Sequence, residues 1–84
     1  MAAPNIILEQ GYILLQQIGE SKLGITMTNN NFLFAEAVAV NDLSEKYDIG
    51  DTVLFNPLDS TLLVYDEETF FLTTEDKIIF KEVT

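Results

Sequence analysis

"TVLFNPLDSTLLVYDEETFFLTTEDKIIFK" (residues 52–81) decides the fold class. It holds four short apolar runs, 52–55, 61–65, 69–73 and 77–81, separated by "NPLDS", "DEE" and "TED". Short runs rich in β-branched and aromatic residues, bounded by turn formers, read as strands. Outward from this stretch the pattern continues. "GYILLQQI" (11–18) and "FLFAEAVAV" (32–40) read as two more strands, and "NIIL" (5–8) as an apolar terminal strand. No long stretch carries the 3.6-residue period of a helix. Residues 19–31 form a loop ending in three asparagines, which favour turns. Residues 41–51 form a polar connection in which Gly50 takes a turn conformation. The expectation is an all-β chain, a small barrel or sandwich, forming one domain over 1–84 without repeat or linker.

Composition narrows the function. With 84 residues, a lone domain buries only about two-thirds of its unfolded surface and is marginally stable. There is no cysteine and no histidine, so disulfides and thiolate metal sites are excluded and a zinc site held by carboxylates alone is not expected. Oligomerisation is the natural source of further burial. The net charge of −10 opposes binding to nucleic acid or to an anionic membrane. No apolar run approaches the roughly 18 residues of a spanning helix. The N-terminal "MAAPNIILEQ" lacks the basic start of a signal peptide, so the expected location is the cytoplasm.

Catalysis is not expected. A histidine or cysteine nucleophile, base or ligand is missing, and Lys22 beside Ser21 is a chance pairing. Glycine-rich phosphate motifs are absent, and no cofactor is implied. The acids of "YDEETF" (65–70) invite a cation-site reading, but they lack the alternating ligand spacing of a calcium loop. A solvated hairpin tip fits them better.

The loop poses the sharper question. Leu23, Ile25 and Met27 stand within an otherwise small and polar "GESKLGITMTNNN" (19–31). Exposed apolar residues on a flexible loop suit a docking segment. Their alternation equally suits the inward face of an ordinary strand.

Taken in order, several segments resemble a GroES-type co-chaperonin of the chaperonin-10 family. "NIILEQGYILL" is similar to its N-terminal strand pair. "LGITMT" stands where the family has a glycine and a short hydrophobic segment. "AEAVAV" resembles its "GEVLAV", "YDIGDTVLFN" its "VKVGDIVIFN", and "EDKIIFKEV" its terminal "SDILAIVE". Three departures stand out. The roof segment, about 41–49, is too short for a substantial hairpin, as in some bacteriophage members. Thr26 replaces a large aliphatic residue, and arginine is absent.

The resemblance implies a small irregular GroES-like β-barrel with a mobile loop over about 19–31, assembled as a homoheptameric ring. It implies capping of a GroEL-type chaperonin through Gly24, Ile25, Thr26 and Met27, with unfolded clients enclosed beneath and ATP hydrolysed by the partner. It implies ring contacts through Asn5, Ile6, Ile7 and Leu8 of one subunit and Ile78, Ile79 and Phe80 of the next. Apolar terminal edges would be satisfied by head-to-tail pairing around a closed ring, or by pairing within one subunit to close a monomeric barrel. The competing reading is a small ring-forming phage head, tail or connector protein with no chaperonin partner.

Overall fold

A computed structural model describes residues 4–28 and 31–83. Six strands form one antiparallel sheet: β1 (Tyr12–Gln17), β2 (Leu33–Val40), β3 (Thr52–Phe55), β4 (Thr61–Tyr65), β5 (Glu68–Thr74) and β6 (Ile78–Lys81). Their order across the sheet is β4-β5-β1-β2-β3-β6. The expected all-β class is observed, and each run within 11–81 becomes a strand, with ends shifted by a residue or two. Lys77 is the notable shift: it belongs to a short 3-10 turn, Glu75–Lys77, that precedes β6. The asparagine turn expected before β2 falls partly outside the described residues.

Residues 5–8 correct the sequence reading. They adopt no strand and pair with neither β6 nor any other strand among the described residues. β6 pairs instead with β3 of its own chain. The apolar run "NIIL" has β propensity, but a strand exists only where a partner ladder receives its backbone groups.

Chain connectivity forces the sheet to curl. β5 and β6 lie four places apart, about 19 Å in a flat sheet at about 4.8 Å per strand. Only Glu75–Lys77 join them, and four residue steps reach at most about 14 Å when extended. β3 and β4 are also four places apart, joined through the 3-10 turn Pro57–Asp59. The far strands must therefore approach one another in space, although β4 and β6 are not paired.

The curled sheet buries apolar side chains on both faces. On one face Ile13, Leu15, Ala35, Ala37, Val53, Phe55 and Phe71 pack together. On the other, Leu14 and Phe70 pack with Leu8. The consecutive run Ile13-Leu14-Leu15 is thus buried on both sides, as a central strand requires. A bulge between Leu14 and Leu15 leaves Val38 as an extra residue in β2. Ala35 and Ala37 then face the first cluster, while Val38 and Ala39 both serve the second. Phe55 and Phe71 meet edge to face at 5.1 Å, a geometry that adds about 1 kcal/mol beyond burial.

Asp66 and Glu67 make the β4–β5 turn with φ of 52° and 66°. Two left-handed residues match the right-handed twist of a tight hairpin. Both side chains are exposed, which agrees with the solvated tip. Among the described residues no cluster of three metal-ligating side chains occurs, and no helix is long and apolar enough to cross a membrane.

Candidate functional site

The ladder between β1 and β2 reaches its last rung where the Ile18 N–H donates to the Phe34 carbonyl at 3.0 Å. Beyond it the chain leaves the sheet. From Gly19 to Thr28 there is no strand, so the alternating Leu23, Ile25 and Met27 are not the inward face of one. Leu23 is 50% exposed and Ile25 39%, while Met27 is half-buried and Thr26 exposed.

A tight turn sits at the root of this segment. The Gly24 N–H donates to the Ser21 carbonyl at 3.3 Å, and Gly24 has φ +81°. A β-carbon there would meet nothing within 4 Å. Glycine is therefore required by the left-handed backbone and not by crowding. The sequence-predicted docking residues Gly24, Ile25, Thr26 and Met27 accordingly form one continuous arm leaving this turn. Ile25, Thr26 and Met27 border a cleft of about 260 Å³ with Ile18, Phe32 and Phe34.

The root is held by a group that sequence reasoning missed. Glu82 is buried, and its carboxylate accepts the Ser21 hydroxyl and, at 3.0 Å, the Lys22 backbone N–H. Ser21 Oγ in turn accepts the Leu23 N–H at 3.1 Å. Buried carboxylate oxygens need hydrogen-bond donors, and these have two. Nothing in composition or periodicity marks Glu82, because its partners lie some sixty residues away in sequence.

The predicted ring-contact residues occupy two places. Asn5, Ile6 and Ile7 are exposed, Ile7 at 93%, while Leu8 is buried in the second cluster. The Leu8 carbonyl accepts the Asn41 side-chain amide at 2.5 Å, which ties this segment to the end of β2. On β6, Ile79 is exposed, Ile78 packs against the first cluster, and the Phe80 ring lies 6.3 Å from that of Phe34. The structure brings neither group against the other within one chain.

Residues 41–51, the shortened roof segment, fold onto the core. Tyr47 is buried and belongs to the first cluster. Lys81 Nζ stands 5.6 Å above its ring, 3.5 Å from Asp51 Oδ2, and donates to the Lys46 carbonyl. Burial, then the negative charges of Glu75 and Asp51, raise the Tyr47 phenol above its ordinary pKa. Gly50, with φ +98°, donates to the Ala37 carbonyl at 2.8 Å and closes the segment back onto β2. The expectation of a turn at Gly50 is met. Tyr47 and Lys81 are the second feature that sequence reasoning missed.

This arrangement offers an apolar arm on a fixed root, and exposed apolar side chains at the N-terminal segment and on β6. Compared with known proteins, the chain matches no family model and no curated sequence.

Proposed function

We propose that the protein is a co-chaperonin of the GroES type, without catalytic activity of its own, that caps a GroEL-type chaperonin through residues 24–27. The observation that carries this reading is the strandless segment in which Leu23 and Ile25 are exposed. Ordering such an arm on a partner costs several kcal/mol, so one arm binds weakly. Several identical arms on one ring convert weak contacts into tight but reversible capping. Thr26 in place of a large aliphatic side chain removes about 1 kcal/mol of burial per arm, which favours release.

In this reading the curled sheet is a small irregular β-barrel, and the subunits form a heptamer. Residues 5–8 lack a strand partner of their own, and β6 keeps a free edge carrying the exposed Ile79. Pairing these across subunits would cover both. The short 41–51 segment would leave the dome low or open at its centre. Unfolded clients are enclosed beneath the ring, and the nucleotide cycle belongs to the partner.

Native mass spectrometry tests the assembly, and co-sedimentation with a bacterial GroEL-type chaperonin in ADP tests the partner. A heptamer that co-sediments only with nucleotide is expected. Ile7→Lys combined with Ile79→Lys, both at exposed positions, should give folded monomers. A ring that ignores the chaperonin would favour a phage structural subunit instead. A wild-type monomer at high micromolar concentration would refute the assembly.

A further inference from the structure

We infer that Glu82 is the positioning residue of the docking arm, an inference that rests on the co-chaperonin reading. Glu82 follows directly on β6, and its backbone N–H donates to the Thr52 carbonyl at 2.8 Å, extending the β3–β6 ladder by one rung. Its backbone is therefore as fixed as the sheet. Its side chain leaves the sheet and takes two donors from the arm's root, the Ser21 hydroxyl and the Lys22 N–H. Lys22 adds a long contact, Nζ to the Gly50 carbonyl at 3.5 Å. Residues 21–23 are thus held, while beyond Gly24 the chain leaves Ile25 and Thr26 exposed and Met27 half-buried.

The division has a consequence for docking. The entropy lost on binding scales with the number of residues ordered. A root already ordered by Glu82 shortens the segment that must be fixed on the chaperonin and aims it in advance. Because Glu82 sits one residue beyond the strand proposed for ring contacts, holding β6 in the ring also holds the arm. An acid at 82 thereby links assembly to presentation of the docking segment.

The test compares wild type with Glu82→Ala and Glu82→Gln, each as the full chain. Amide exchange at 21–23 is read in the free protein, and the apparent Kd for a bacterial GroEL-type chaperonin in ADP is read on the assembled ring. Glu82→Ala should raise exchange at 21–23 by at least about tenfold and weaken capping by about tenfold or more through the repeated arms. Glu82→Gln, which still accepts the Lys22 N–H, should restore most of both. Unchanged exchange at 21–23 in a folded Glu82→Ala ring overturns the clamp. Faster exchange with unchanged affinity overturns the positioning role and leaves a merely structural bond. Wild type that does not bind the chaperonin, with the exchange effect intact, refutes the co-chaperonin reading and with it the docking role, while the clamp itself stands. Should Glu82→Ala fail to fold, Ser21→Ala removes the hydroxyl donor to Glu82 together with the acceptor of the Leu23 N–H; unchanged or slower exchange at Lys22, or unaltered capping, in that variant would likewise overturn the proposal.

Discussion

Two connections leave β2's neighbourhood, and they behave in opposite ways. Residues 19–28 lead from β1 toward β2; residues 41–51 lead from β2 to β3. Both are polar for most of their length and both contain a left-handed glycine, Gly24 and Gly50. The second is pinned at many points. Tyr47 is buried in the core, Ser44 Oγ donates to Glu75 Oε2 at 2.6 Å, the Asp48 N–H donates to Asp51 Oδ2 at 2.9 Å, and Lys81 closes over the ring. Among the described residues the first is held by hydrogen bonds at its root, and beyond it Ile25 is exposed and Met27 half-buried. Polarity does not separate a lid from an arm. Exposed apolar side chains do not separate them either, since Leu43 and Ile49 are exposed as Leu23 and Ile25 are. What separates them is that 41–51 places Tyr47 in the core, whereas 19–28 places no large apolar side chain fully in it.

Substitutions at those two places should break the comparison most visibly. Tyr47→Ala empties a site in the first cluster and should cost about 3 kcal/mol by denaturant unfolding, with exchange at 19–28 unchanged. A loss below about 0.5 kcal/mol would mean that the 41–51 segment is as loosely held as the arm. Lys81→Met keeps the side-chain stem and removes the cation over Tyr47 and the pairing with Asp51. The ion pair is partly exposed, so the expected loss is about 1 kcal/mol. Changing Ile25 and Met27 together to Ser should alter stability by no more than about 0.5 kcal/mol, since Ile25 is exposed and Met27 only half-buried. Capping should nonetheless be lost, because each docked side chain forfeits about 1.5–3 kcal/mol of burial. A scattered or unfolded double variant would place these residues in the core after all.

The smallest effect concerns pH. The Tyr47 phenol has a raised pKa in the folded chain, so folding favours its protonated form. That contribution is fully present below the ordinary tyrosine value of 10.0 and is lost as pH rises through the higher folded value. Tyr47→Phe should therefore retain more of its stability than wild type above that value. Parallel alkaline unfolding curves would show that the phenol is not sequestered.

The strands were legible because their signal is local. Runs such as 52–55 and 61–65 carry propensity and turn punctuation in adjacent residues, and both strands occupy those spans. The bulge at Leu14 and Leu15 was not legible, since it depends on how two strands register. "NIIL" shows the converse limit: local propensity without a partner gave an unpaired segment. The site divided in the same way. The apolar triplet stood out from its polar surroundings. Glu82 and Lys81 did not, because a buried acid or a stacked lysine looks like any other charged residue until Ser21 and Tyr47 are brought beside it.

Amide exchange of residues 19–28, measured on the wild-type protein with and without a bacterial GroEL-type chaperonin and ADP, tests the proposed docking most directly. The account predicts rapid exchange from Ile25 onward in the free protein, slower exchange at 22–24, and strong protection of 25–27 on adding chaperonin with nucleotide. Exchange at 25–27 that is already slow in the free protein, or that the chaperonin leaves unchanged, would contradict it.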